Sequence, residues 1–342
     1  MSLGRAYSRR FVASTDKTPV AAGAGAILPE QLLDFLGRMI EIRVFEEETQ
    51  RLFTQNLVRG STHLCSGQEA VVVGGCSVLR DGDSMLCTYR GHGAVLAMGA
   101  PLDRSFGEIL GKAEGLCGGK GGSMHLTDVS VGAYGSVAIV GAQLPIAVGL
   151  GFAARYQGTE DVCLCFFGDG AANIGAFHEA LNLASIWKLP VLFVCENNLY
   201  GEYTALRFTT PVEHIADRAS GYGMTGVQVD GNDVGAVFET IGEAAARARA
   251  GEGPTLIEAL TYRQKGHSRS DPGKYRPEGE LDAWLLRDPI VLAEAALRDQ
   301  GVDQGVLDEA HRTAEAKVRE AMQRARSWDE PELESRFQDV WA

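Results

Sequence analysis

The stretch that decides the fold is VCLCFFGDGAANIGAFHEALNLASIWKLPVLFVCENN, which occupies residues 162–198. An apolar strand is predicted over Val162–Phe167 and runs into a Gly-Asp-Gly turn. An amphipathic segment follows, and a second apolar strand is predicted over Val191–Cys195. The separation between Asp169 and Asn198 matches one strand–helix–strand crossover of about 30 residues. These two residues are therefore expected at the same edge of a parallel sheet.

The residue types at that edge indicate a metal–diphosphate site. In an open α/β sheet, ligands bind at the carboxyl edge of the strands. Asp169 supplies a carboxylate there and Asn198 a carboxamide. Mg²⁺ usually keeps one or two protein carboxylates together with substrate phosphates. The glycines on both sides of Asp169 allow the backbone to approach a phosphate closely.

The Gly-Asp-Gly turn followed by Asn-Asn resembles the thiamine diphosphate motif. The sequence AANIGAFHEALNLASIWKLPVLFVCENNLYG is similar to the alpha subunit of thiamine-dependent 2-oxo acid dehydrogenases of the pyruvate, branched-chain or acetoin type. The resemblance extends over residues 28–330 and is most specific across 59–92, 163–201 and 254–276. It implies an α/β thiamine diphosphate-binding fold, with a mainly parallel sheet flanked by helices and with N-terminal and C-terminal helical extensions.

The resemblance also assigns ligands to individual residues. It implies Asp169, Asn198 and the backbone carbonyl of Tyr200 as the metal ligands. The residues that it implies as cofactor contacts lie at strand ends or in glycine-rich turns: Tyr89, Arg90, Ala138, Val140, Gly168, Asp169, Gly170, Ala171, Asn198, Tyr200 and His267. Ala138 and Val140 belong to GSVAIVG, which resembles the loop that packs against the aminopyrimidine, although many relatives carry glycine where Ala138 stands.

Two histidines are implied as catalytic residues. His63 lies just before SGQEA and resembles the family's active-site histidine. A neutral imidazole near a developing alkoxide can donate a hydrogen bond or shuttle a proton. His267 lies in a Gly-His-Ser-x-Ser-Asp element, whose histidine is implied to contact the cofactor phosphate from a loop that orders on binding. Arg90 follows a predicted strand, and its guanidinium is suited to bidentate phosphate binding.

Composition narrows the cellular setting. A net charge of −13 over 342 residues argues against nucleic acid as a partner, and the absence of a long apolar run predicts no membrane span. Seven cysteines without Cys-x-x-Cys indicate a reducing compartment. The N-terminus MSLGRAYSRRFVAST fits a transit peptide or a disordered bacterial extension. A cytoplasmic bacterial protein is preferred to a mitochondrial matrix protein.

The rest of the sequence predicts one domain. Helices are predicted over 29–56, 67–79, 102–110, 143–156, 234–250 and 303–327, with further strands over 84–88, 227–229 and 255–261. The glycine-rich run 115–125 is predicted to be a loop packed against a neighbour, and 266–279 a long mobile loop. The predicted organisation is a flexible N-terminal extension over 1–27 and a single thiamine diphosphate-binding domain over 28–342, with a C-terminal helical arm from about 280.

One component of thiamine chemistry is missing from the sequence. No segment resembles the domain that supplies the carboxylic acid activating the aminopyrimidine. The resemblance implies that this acid comes from a separate beta subunit, in a heterotetramer of two alpha and two beta chains. The implied reaction is decarboxylation of a 2-oxo acid, with pyruvate preferred, and transfer of the acyl group to lipoyl-lysine of a dihydrolipoyl acyltransferase. Acetoin and branched-chain 2-oxo acids are the alternative substrates.

Three other classes of protein fit the sequence less well than this prediction. A transketolase-type half-subunit would use the same cofactor, but the glycine-rich loop and the Gly-His-Ser-x-Ser-Asp element favour the dehydrogenase. A nicotinamide-dependent dehydrogenase lacks support, because no Gly-x-Gly-x-x-Gly opens a helix after a strand. A non-catalytic scaffold would not require the complete set of polar site residues.

Overall fold

The structure is a computed structural model that describes residues 27–58 and 60–338. The flexible extension predicted over 1–27, with the arginine-rich N-terminus, lies outside these residues except at Ile27. Within the described part of the chain, no helix is long and apolar enough to cross a bilayer. All seven cysteines are free thiols, and six of them are buried.

The described elements alternate between helices and strands over most of the chain. The helices are α1 (Pro29–Thr54), α2 (Glu69–Cys76), α3 (His92–Ala97), α4 (Leu102–Leu110), α5 (Gln143–Gln157), α6 (Gly175–Ile186), α7 (Val234–Arg249), α8 (Glu280–Leu285), α9 (Pro289–Asp299) and α10 (Gln304–Arg326). The strands are β1 (Ser84–Thr88), β2 (Ala133–Val137), β3 (Cys163–Gly168), β4 (Val191–Asn197), β5 (Tyr200–Gly201), β6 (Thr204–Ala205), β7 (Thr225–Asp230) and β8 (Thr255–Leu260).

Six of these strands form one parallel sheet in the order β2-β1-β3-β4-β8-β7. The short strands β5 and β6 form a separate antiparallel hairpin directly after β4. The predicted strand–helix–strand crossover is confirmed, because β3 and β4 are neighbours and Gly168 pairs with Glu196. The α/β fold with a mainly parallel sheet flanked by helices is therefore confirmed.

The sheet is the middle of three layers, because successive side chains of a strand point to opposite faces. Leu164 and Phe166 of β3 pack in the core cluster that includes residues of α1, α2, α7 and α10. Cys163, Cys165 and Phe167 pack in the cluster that includes residues of α5 and α6. The prediction that Cys163 and Cys165 share a face is confirmed. Burial on both sides explains why the strands read as nearly continuous apolar runs.

The glycine-rich run 115–125 is organised by one carboxylate. Glu108 is 0% exposed and accepts hydrogen bonds from four backbone amides. Its Oε2 lies 2.7 Å from the nitrogen of Cys117 and 2.9 Å from that of Gly119, and its Oε1 lies 2.6 Å from the nitrogen of Gly121 and 3.0 Å from that of Gly122. The neighbour predicted for this loop is thus the C-terminal half of α4.

Several elements differ from the sequence prediction. The helix predicted over 67–79 is shorter, and β2, α3, α8 and α9 were not predicted. Strand β2 consists of AYGSV, in which only Tyr134 and Val137 are of the residue types enriched in strands. It is a strand because its backbone pairs with β1 at the edge of the sheet, which is a tertiary effect that local composition does not report.

Candidate active site

The ends of β3 and β4 bring Asp169 and Asn198 together at the carboxyl edge of the sheet. Asp169 is 2% exposed, and its Oδ2 has no hydrogen-bond partner. The Asn198 side chain donates through Nδ2 to Gln68 Oε1 at 3.2 Å, and its Oδ1 accepts from the Tyr200 backbone nitrogen at 3.3 Å. The unpartnered carboxylate oxygen and the carboxamide oxygen are ligands of the type that a hard divalent cation prefers.

The orientation of the Asn198 amide is fixed by a chain of buried side chains. Gln68 Nε2 donates to Glu196 Oε1 at 2.9 Å, so the Oε1 of Gln68 is left as the acceptor for Asn198. Burial raises the pKa of Glu196 to about 7, against the hydrogen bond from Gln68 and the charge of Arg90. The network therefore directs Asn198 Oδ1 away from Gln68.

The backbone around Asp169 comes very close to the hairpin that follows β4. A Cβ added to Gly170 would lie 3.2 Å from the Cα of Gly201, whereas a Cβ on Gly168 would meet no atom within 4 Å. Leu199 has a φ of 72°, a left-handed conformation that non-glycine residues rarely adopt. A conformation of this type in a buried turn is common at ligand sites.

Burial strongly disfavours the charged form of Asp169. It raises the pKa of this carboxyl to about 6, although hydrogen bonds from the backbone amides of Asp169 and Asn198 and the charge of Arg263 act in the opposite direction. The hydrogen bonds and charges of the chain itself thus do not offset the cost of burying the negative charge of Asp169. A cation at Oδ2 would stabilise that charge.

Two histidines and a tyrosine form a second cluster at the same edge. The ring of His63 lies 4.4 Å from that of Tyr89 and 5.0 Å from that of His267. His63 is 6% exposed, and its Nδ1 has no partner. Burial and the charge of Arg90 lower the pKa of His63 to about 3 and that of His267 to about 4. Both imidazoles are therefore neutral at pH 7.

Two buried guanidiniums connect the clusters. Arg90 donates to the carbonyls of Leu64, at 2.7 Å, and His267, at 2.9 Å. Arg263 is 2% exposed and donates to the carbonyl of Glu202 at 3.0 Å and to the hydroxyl of Tyr275 at 2.6 Å. Burial, followed by the charge of Arg263, lowers the pKa of Arg90 to about 10.

Neither guanidinium forms an ion pair with a carboxylate among the described residues. Buried cations of this kind are expected to be paired. Two of them beside an unpartnered carboxylate oxygen fit a metal–diphosphate unit, in which an anion meets the arginines and a cation meets Asp169. No group of three or more His, Cys, Asp or Glu side chains suited to a metal occurs in 27–58 and 60–338.

The segment after β8 is held by its own polar contacts. Asp271 accepts from the backbone nitrogens of His267, at 2.5 Å, and Gly273, at 2.8 Å, and from the hydroxyl of Tyr275, at 3.0 Å. Arg276 donates at 2.6 Å to the carbonyls of residues 263 and 265. The segment therefore forms more hydrogen bonds than its composition suggested. Its mobility without cofactor stays a prediction.

The remaining predicted residues lie around these clusters. Ala171 is buried in the turn after Asp169, and Tyr200 is 4% exposed in β5. Ala138 and Val140 follow β2, where Val140 is 47% exposed. Their side chains have no polar or aromatic group that could take part in these hydrogen bonds and ring contacts, and their contact with a cofactor stays a prediction.

Sequence reasoning missed three residues of this site: Arg263, Gln68 and Glu196. Arg263 could have been predicted from the sequence, because it follows a buried strand at the carboxyl edge of the sheet, as Arg90 does. Gln68 and Glu196 could not, because their contact joins positions 128 residues apart. The side chain of Glu202 is exposed, and its backbone carbonyl accepts a hydrogen bond from Arg263.

Comparison with known proteins finds a matching family model and several similar chains. The family model described as the dehydrogenase E1 component matches residues 37–334. The alpha subunit of acetoin:2,6-dichlorophenolindophenol oxidoreductase from Bacillus subtilis is 49% identical over 255 residues, which cover 75% of this chain and 77% of that protein. Its counterpart from Cupriavidus necator is 42% identical and covers 95% and 99%. The pyruvate dehydrogenase E1 component subunit alpha of Rhizobium meliloti is 39% identical over 336 residues and covers 97% of both chains.

Proposed function

The chain belongs to the dehydrogenase E1 component family, which depends on thiamine diphosphate, and from this premise we propose that it is the alpha subunit of a pyruvate-decarboxylating E1 enzyme. The observation that carries the proposal is the pair of buried, unpaired guanidiniums facing an unpartnered carboxylate at one sheet edge. Arg90 and Arg263 bind the diphosphate, with Tyr89 and His267 beside them. The glycines at 168 and 170 and Ala171 let the backbone approach it.

Mg²⁺ is the metal that this donor set favours. Asp169 contributes one carboxylate oxygen, Asn198 one carboxamide oxygen and Tyr200 its backbone carbonyl. Three oxygen donors leave positions for diphosphate oxygens and water, which matches the preference of Mg²⁺ for few protein ligands. Metal and cofactor then bind interdependently, because each completes the other's site.

The histidines supply the acid–base function. When bound, thiamine diphosphate provides the nucleophilic carbon and accepts the electrons released by decarboxylation. His63 is neutral at pH 7, so one ring nitrogen donates a hydrogen bond to an oxygen of the substrate and the other accepts a proton. His267 contacts the reacting region from its loop. Ala138 and Val140 would line the side of the pocket that takes the aminopyrimidine.

The alpha chain requires a partner. Alpha subunits of this family pair with beta subunits, and we assign the acid that activates the aminopyrimidine to the beta chain, in an assembly of two alpha and two beta chains. The exposure of Val140, which follows β2, supports a covering partner. Ile146, Phe152 and Tyr156 on α5 are 46%, 46% and 83% exposed and form an apolar face of the kind that marks subunit contacts. The acyl acceptor is the lipoyl domain of a dihydrolipoyl acyltransferase.

The experiment combines this chain with a beta subunit. We expect CO₂ release from pyruvate that requires thiamine diphosphate, Mg²⁺ and both chains, together with reductive acetylation of an added lipoyl domain. The absence of both reactions from an assembled tetramer would contradict the proposal.

Acetoin is the second candidate substrate. Its support is the identity of 49% and 42% to two acetoin-acting relatives, against 39% to the Rhizobium pyruvate enzyme. The same tetramer distinguishes the two substrates by the ratio of kcat/KM for pyruvate and acetoin.

We also propose that the compartment is the bacterial cytoplasm. The free, mostly buried thiols and the bacterial relatives support this assignment.

A further inference from the structure

Glu46 lies where α1 meets the segment that carries His63 and the glycine-rich run. Its carboxylate is 0% exposed. Oε1 accepts from the backbone nitrogen of Cys65 at 2.8 Å, and Oε2 lies 2.7 Å from His92 Nδ1. The other nitrogen of His92, Nε2, lies 2.9 Å from the hydroxyl of Ser123. One buried carboxylate therefore ties three distant parts of the chain together.

The peptide just after His63 is held from two sides. Cys65 donates to Glu46, and the carbonyl of Leu64 accepts from Arg90 at 2.7 Å. Arg90 lies on the turn between β1 and α3, and His92, two residues later, begins α3. Glu46 and Arg90 thus hold the same peptide, and His92 locks Glu46 to the turn that carries Arg90.

This arrangement matters because His63 has no hydrogen bond that fixes its own ring through Nδ1. Its place depends on ring contacts with Tyr89 and His267 and on the backbone that carries it. We propose that Glu46 is a positioning residue for His63, acting through the backbone nitrogen of Cys65 and through His92. The proposal rests on the acid–base role given to His63 above. Displacing a reacting group by about 1 Å can reduce a rate about 100-fold.

The chain offers matched variants for a test. Glu46→Met keeps the length of the side chain and removes both acceptors, whereas Glu46→Gln keeps an acceptor for Cys65 and a hydrogen bond to His92. Asp83→Leu is the control. Asp83 is also a buried carboxylate that accepts from a backbone nitrogen, that of Val162 at 2.8 Å, and that pairs with a cation, Arg249 at 2.5 Å, but it lies at the opposite edge of the sheet.

Each substitution is measured alone and combined with His63→Ala, in the tetramer with the beta subunit. We expect Glu46→Met to lower kcat about 10- to 100-fold with native His63 and less than about 2-fold with His63→Ala. Glu46→Gln should restore kcat, and Asp83→Leu should lower the melting temperature with little change in kcat. An equal loss in both His63 backgrounds, or no loss from a folded Glu46→Met protein, would overturn the proposal.

Amide hydrogen exchange over residues 61–67 gives a readout that is independent of activity. Exchange should be faster in Glu46→Met and unchanged in Glu46→Gln and Asp83→Leu; unchanged exchange in Glu46→Met would overturn the proposal. If Glu46→Met does not fold, His92→Gln is measured in the same way, because glutamine cannot bridge Glu46 and Ser123 at once. A native tetramer without decarboxylase activity would instead refute the proposed function, while the exchange result would still report on the positioning of this segment.

Discussion

Asp169, which we assign to the metal site, lowers the stability of the cofactor-free fold at neutral pH. In the folded chain burial raises its pKa to about 6, whereas an unfolded aspartate ionises near 3.8. The folded state therefore binds the proton more tightly, and this stabilising term is present below about pH 4 and is lost as the pH rises through about 6. At pH 7 the cofactor-free protein therefore carries a buried negative charge on Asp169 whose desolvation is not offset by its neighbours.

Asp169→Asn should consequently stabilise the cofactor-free protein at pH 7 by at most about 3 kcal/mol, from a pKa difference of about two units. The gain should shrink as the pH falls from 6 to 4, and should disappear below about pH 4, where the carboxyl is protonated in both the folded and the unfolded state. Chemical unfolding of both proteins across this range measures the effect. A difference that is constant with pH would mean that ionisation of Asp169 does not contribute.

His63→Ala should assemble and bind cofactor but should lower the rate of reductive acylation by about 10²–10⁴-fold, the usual contribution of a positioned acid–base group. The control is His311→Ala, which removes a half-exposed histidine paired with Glu294 on the C-terminal helices. Single-turnover acylation of a lipoyl domain measures the step. An unchanged rate would return His63 to a purely structural role.

At the scale of the element, the segment 266–279 should respond to the cofactor. Lys274 is exposed, and Arg263, which holds Tyr275, also faces the diphosphate site. Limited proteolysis should cut near Lys274 in the cofactor-free protein and slow markedly when Mg²⁺ and thiamine diphosphate are added. Cleavage after the exposed Arg336, in the short helix Leu333–Phe337, serves as the internal control. Equal rates at Lys274 in both states would show that this loop does not sense the cofactor.

The elements also show what a sequence alone can predict. Apolar runs and helical periodicity located β1, β3, β4, β8, α4 and α10, and their spacing placed Asp169 beside Asn198. Strand β2 and helix α3 were not predicted. Strand β2 is an edge strand with few residues of strand-forming types, and α3 is only six residues long. Contacts such as Gln68 with Glu196, or Glu46 with Cys65, depend on how distant segments pack, and no local pattern records them.

At the scale of the whole molecule, the alpha chain alone should be inactive. The described residues provide two arginines, two histidines and the turn that we assign to the metal, and Val140 and the apolar face on α5 are exposed. Adding the beta subunit should yield a tetramer in which cofactor retention and decarboxylation appear together. The interface should be obligate in size, above about 2,000 Å² in total. Decarboxylation by the alpha chain alone at the rate of the mixture would place the activating acid within these 342 residues.

The most direct test of the central claim is calorimetric binding of Mg²⁺–thiamine diphosphate to the assembled protein. Asp169→Ala is compared with Asp230→Ala, because Asp230 ends β7 at the same sheet edge but pairs with Arg287 instead of facing the site. The wild-type and Asp230→Ala proteins should bind with the same affinity, and Asp169→Ala should show no binding while remaining folded. Wild-type affinity in the Asp169→Ala protein would contradict the assignment of this turn as the metal–diphosphate site.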